Sequence, residues 1–88
     1  MTTTSLAPSS QRIVLRRTGL AATFRDARVA ESTGWLVETW IVHARRCRTE
    51  SIGTVDVYLH GGAWHVWRSS LSASVRSVAD RIAKARNA

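Results

Sequence analysis

Apolar and polar residues alternate from Val55 to Arg68 on both sides of Gly61-Gly62. Successive side chains of a strand point to opposite faces, so such alternation marks a half-buried strand. A Gly-Gly pair between two such runs marks a two-residue hairpin. The turn predicts that Leu59 faces Trp64, Tyr58 faces His65, Val57 faces Val66 and Asp56 faces Trp67. One face then carries Val55, Val57, Leu59, Trp64 and Val66 and reads as core. The other carries Asp56, Tyr58, His60, Ala63, His65 and Trp67 and is a candidate recognition surface.

Upstream, Trp35 to Arg46 alternates as a long strand with both faces apolar: Leu36, Trp40, Val42 and Ala44 against Trp35, Val37 and Ile41. A strand apolar on both sides belongs in the middle of its sheet. Arg48-Thr49-Glu50-Ser51 reads as a turn, with Ile52 to His60 returning antiparallel. An even loop there sets Cys47 opposite Ile52 and His43 opposite Asp56, whereas an odd loop flips every face. The even register is preferred because it places Trp40 and Val42 beside Leu59 and Val57. It also gathers all three histidines on the second face, with His43, Asp56 and Trp67 in one row and Ile41, Tyr58 and His65 in the next.

Ile13, Val14 and Leu15, followed by Arg16-Arg17, predict a short strand ending at Thr18-Gly19. Residues 20–31 fit two patterns. Leu20, Phe24 and Ala27 stand at helical spacing, but a hairpin through Thr18-Gly19 places Ile13, Leu15, Leu20, Ala22 and Phe24 on one face. Val29 suits neither, and the strand reading is preferred. Glu31-Ser32-Thr33-Gly34 is a turn. Leu71, Val75, Val78 and Ile82 recur at i, i+4, i+7 and i+11, predicting a helix over about residues 71–86. Ser69 or Ser70 can cap its start. Asp80 lies four residues before Lys84, and Arg81, Lys84 and Arg86 oppose the negative end of the helix dipole.

The predicted architecture is α+β: an antiparallel meander of three strands with one or two more on the N-terminal side, and a C-terminal amphipathic helix packed on one face. It occupies one domain over residues 12–88. Residues 1–11, uncharged and rich in Ser and Thr, are expected to be a disordered tail.

Charge changes the picture from fold to partner. Thirteen basic residues against six acidic ones leave a formal net charge of +7. That balance favours polyanions: nucleic acid, an anionic membrane surface or an acidic protein. Cys47 is the only cysteine, which excludes an intrachain disulfide and a thiolate zinc site. No apolar run approaches about 18 residues and no secretory leader is evident, so a soluble cytoplasmic protein without membrane contact is expected.

Candidate chemistry sits in two places. Arg45-Arg46-Cys47-Arg48 puts three guanidiniums at a hairpin tip, able to straddle a phosphate backbone or enter a groove. Arg16-Arg17 is a weaker version of the same signal. On the second sheet face, Trp67, Tyr58 and Trp35 could stack on bases while His65 and arginines meet phosphates. If residues 12–31 fold over that face, Trp35 and Ile41 are simply core. The three histidines with Asp56 are too spread over a flat sheet for zinc. His43 opposite Asp56 is a thin version of a catalytic pair, without a phosphate loop, nucleophile motif or paired carboxylates. Neither enzyme activity nor a cofactor or metal is expected. Arginines on either side of Cys47 would lower its pKa.

These features predict a small non-catalytic nucleic-acid-binding protein, with DNA ahead of RNA. Phosphate contacts would come from Arg45, Arg46, Arg48 and Arg68, and base or sugar contacts from Tyr58, His65 and Trp67. The alternative is an accessory or inhibitor protein of plasmid or phage type, binding an acidic host protein through the Trp-rich face. A homodimer through an open edge strand fits either reading.

Overall fold

The computed structural model describes residues 11–88; residues 1–10, which hold most of the expected tail, lie outside the described residues. Five strands follow in chain order: β1 (Arg12–Leu15), β2 (Leu20–Val29), β3 (Leu36–Ala44), β4 (Cys47–His60) and β5 (Ala63–Ser69). A 3-10 turn (Ala73–Val75) then leads into helix α1 (Ser77–Asn87). The strands form one antiparallel sheet in the order β1-β2-β3-β4-β5, with β3 at its centre. This is the α+β meander with a C-terminal helix that the alternation predicts.

Of residues 20–31, Leu20–Val29 are strand, and a bulge explains their ambiguity. Phe24 stands opposite Trp40 and Asp26 opposite Thr39, so Arg25 is an extra residue in β2. Phe24 and Ala27 therefore share a face three positions apart, which imitates helical spacing. Ile13 pairs with Ala22 and Leu15 with Leu20, as the Thr18-Gly19 hairpin requires.

At the Gly61-Gly62 turn both glycines have positive φ (+63° and +80°), the requirement of the tight hairpin turn that matches strand twist. Leu59–Trp64, Tyr58–His65 and Val57–Val66 pair as expected. Asp56 does not face Trp67. A register shift leaves Trp67 bulged, and Asp56 lies opposite Arg68.

The β3–β4 turn needs a larger correction. The chain reverses at Arg45-Arg46, with Ala44 opposite Cys47, and Arg48-Thr49-Glu50-Ser51 belongs to a bulged strand. His43 consequently faces Ser51, and Asp56 faces Thr39. The polar run looked like a turn because it is exposed, not because the chain reverses there. From Leu36 to Val42 the register moves by four residues, an even number, so these residues and their partners from Gly53 to Leu59 keep their expected faces.

One sheet face carries Trp40, Val42, Val55, Val57 and Trp64, which pack with Leu15, Leu71, Val78 and Ile82 in a single core. Leu71 and Val75 contribute from ahead of α1, because the regular helix starts six residues later than the periodicity suggested. Neither serine caps it. Ser69 Oγ accepts from the Leu71 amide and Ser70 Oγ from the Thr54 amide, so both hold the chain as it leaves the sheet. The far end of α1 is tied down by a fully buried carboxylate. Arg86 donates twice to Glu38, at 2.7 and 2.9 Å, and Trp40 Nε1 donates to the same group at 3.1 Å.

Candidate nucleic-acid interface

The structure divides the expected site residues between the two ends of the sheet. Arg45 and Trp35 lie ten positions apart along one strand, about 33 Å at strand rise, against a longest molecular dimension of 34 Å.

The arginine end is larger than the sequence pattern indicated. The Arg45 amide donates to the Gly19 carbonyl at 2.8 Å, which pins the β3–β4 turn beside the β1–β2 turn. Arg12 reaches across from β1 and donates to the Arg45 carbonyl at 2.7 Å. Arg16 and Arg17 therefore join Arg45, Arg46 and Arg48 at one edge of the molecule, and all five side chains are exposed. Among the described residues none of these five takes part in an ion pair. Three carboxylates are engaged elsewhere, Asp26 and Asp56 with Arg25, Arg28 and Arg68, and Glu38 with Arg86, while Glu50 stands exposed two residues after Arg48. Five arginines against the single exposed carboxylate of Glu50 leave this end with a net positive field.

Cys47 sits within this end, half-exposed. Its thiol is held below the ordinary cysteine range, chiefly by a hydrogen bond with the Thr49 hydroxyl at 3.1 Å and then by the Thr49 backbone. The cause is the strand following the turn and not the flanking arginines.

At the opposite end, on the face away from α1, Trp35 stacks on Tyr58 with ring centres 4.2 Å apart and planes 13° from parallel. Trp67 meets Trp35 edge-on at 6.4 Å, and His65 lies 5.2 Å from Tyr58. The Arg68 guanidinium covers Trp67 at 4.2 Å and lies 3.7 Å from Asp56. Residues 12–31 extend the sheet and do not fold over this face, so Trp35, Tyr58 and Trp67 remain half-buried. Trp35 and Tyr58 each spend a ring face on the other, and Trp67 spends one on Arg68.

The third part of the expected set is taken apart. His43 is buried; its Nδ1 donates to the Ala44 carbonyl at 2.8 Å, and its Nε2 shares a hydrogen bond with Thr23 at 2.7 Å. Both ring nitrogens are occupied, and Asp56 accepts instead from Thr39 at 2.6 Å, so no His43–Asp56 pair forms. Among the described residues no three histidine, cysteine or carboxylate side chains gather as a metal site would need, and no helix is long and apolar enough to cross a membrane.

Sequence reasoning missed the union of the two arginine turns, which depends on strand order. It also missed the Glu38–Arg86 anchor, although a lone carboxylate among Leu36, Trp40 and Val42 was a visible signal. No known protein family matches the chain, nor does any curated protein or solved structure.

Proposed function

We propose that this chain is a small cytoplasmic, non-catalytic nucleic-acid-binding protein, DNA ahead of RNA, that grips the phosphate backbone with its arginine end. The observation that carries this reading is the Arg45–Gly19 hydrogen bond, which merges two basic turns into one surface of five exposed, unpaired guanidiniums. Width decides how such a surface meets a duplex. The arginine end spans β1 to β4, four strands and about 14 Å between the outer backbones, which exceeds a major groove of about 12 Å. It therefore lies across the backbone instead of inserting, and phosphate contacts carry no sequence information.

Fluorescence anisotropy with two duplexes of unrelated sequence tests this. Five phosphate contacts give a slope of log affinity against log salt of about −4.5, equal for both duplexes, because each contact releases condensed counterions. The R45E/R46E variant loses at least about tenfold in affinity at about 50 mM salt. Absence of binding by the wild-type protein at that salt sinks the reading.

A second reading concerns the aromatic face alone. Because Trp35 and Tyr58 lie against each other, Tyr58, His65, Trp67 and Arg68 form a preassembled patch suited to docking a protein partner. If they contact bases, Y58A/W67A lowers affinity for single-stranded DNA. If they serve a protein, that affinity is unchanged.

A further inference from the structure

Between β1 and α1 runs an open groove of about 760 Å3. Ile13, Val14 and Ala85 supply apolar lining, and Arg16, Lys84 and Arg81 supply cations, with no carboxylate among the lining side chains. Arg81 and Lys84 are three apart on α1 and so lie on one helix face. Val14 is 42% exposed, a large apolar side chain left open to solvent.

We propose that this groove continues the arginine end as a track for a single, unpaired polynucleotide strand. The inference rests on the nucleic-acid reading above and adds the form of the nucleic acid. Arg16 belongs to both surfaces, so a phosphate chain leaving the Arg45-Arg46 turn passes Arg16 and meets Lys84 and Arg81 in a groove lined by no acidic side chain. The apolar lining selects the strand type. A duplex turns its phosphates outward and would press them against Val14 and Ala85, where they lose hydration without gaining a partner. An unpaired strand lays its sugars and base faces on that lining while its phosphates reach the cations, as grooves that track single strands do.

A second copy of this chain is a poor occupant. The Gln11 carbonyl accepts from the Phe24 amide, so by alternation Arg12 and Val14 turn their backbone groups to the open edge of the sheet. Antiparallel pairing of two β1 strands about Val14 would set Arg12 of each copy against Arg16 of the other, a like-charge opposition that destabilises the pair.

The test compares wild-type, K84E, R81E/K84E and R76E proteins on an oligothymidine of about twenty nucleotides and on a duplex of equal length, by anisotropy from about 50 to about 200 mM salt. Arg76 is an exposed helix-start residue outside the groove, so R76E changes net charge as K84E does. Thermal unfolding of each variant confirms that it is folded. The expected result is that R81E/K84E loses about tenfold or more on the oligothymidine and lowers its salt slope by about 1.4, two contacts at the single-strand value. Duplex affinity changes less than about threefold in the same variant, and R76E behaves as wild type on both. Methyl resonances of Ile13 and Val14 shift on adding oligothymidine and stay fixed on adding inorganic phosphate. Equal losses for K84E and R76E, or fixed Ile13 and Val14 methyls, overturn the groove while leaving the arginine end standing. Failure of the wild-type protein to bind either probe overturns the nucleic-acid reading itself.

Discussion

Arg17 adopts a left-handed backbone, φ +68°, within the turn that carries Arg16. A side chain there costs about 1–2 kcal/mol that glycine would not. Residues held in such conformations gather at sites where the side chain is needed for something other than the fold. Glycine also widens the unfolded ensemble by about 0.4–1 kcal/mol, so the two effects partly offset. Arg17→Gly is therefore expected to leave stability unchanged or raise it by up to about 1 kcal/mol, a shift of about 4–8 °C in the thermal midpoint. The same variant loses severalfold in duplex affinity, since it gives up one phosphate contact. A fall of the midpoint without a fall in affinity would show that Arg17 serves the turn alone. No pattern in the sequence marks Arg17 as strained, because the turn type depends on how β1 and β2 meet.

At the scale of elements, the bulges separate the pairings that alternation foretold from those it did not. The Gly61-Gly62 hairpin was legible down to three residue pairs because a two-residue turn leaves the register no freedom. Arg25 and Trp67 are extra residues, each inserted without a local sequence cue, and each shifts the pairing of the residues beyond it by one position. Gly53 is a similar case. It lies opposite Val42 on the core face, at φ +152°, where the chain leaving β5 crosses over the sheet. A Cβ there would stand 2.9 Å from Ser70 Oγ and 3.0 Å from Leu71 Cδ2. Gly53→Ala is expected to destabilise the protein by about 1–3 kcal/mol through overpacking, measured as a lower urea midpoint at unchanged slope. An unaltered midpoint would mean that the crossing segment yields freely.

Across the whole molecule, a net charge of +7 is distributed unevenly, with Arg12, Arg16, Arg17, Arg45, Arg46 and Arg48 crowded at one end. Their mutual repulsion opposes compaction, and salt screens it over a Debye length of about 10 Å at 0.1 M. Thermal midpoints should rise between about 0.05 and about 0.5 M sodium chloride, and the rise should shrink in R45E/R46E. A flat salt profile in the wild-type protein would show that the guanidiniums are too well hydrated to repel. By itself the sequence determined the strands on either side of Gly61-Gly62, the partition of residues between core and open faces, the C-terminal helix and the excess of arginine. These are properties of neighbouring residues, carried by a period of two or of 3.6. Only the tertiary structure decided that Arg16 and Arg17 join Arg45, Arg46 and Arg48, and that Trp35 stands a sheet's length away. It also decided that Glu38 is buried beneath Arg86 and that His43 faces Thr23 instead of Asp56. Each of these depends on strand order and on bulges that set the long-range register, and neither is encoded in any short stretch of chain.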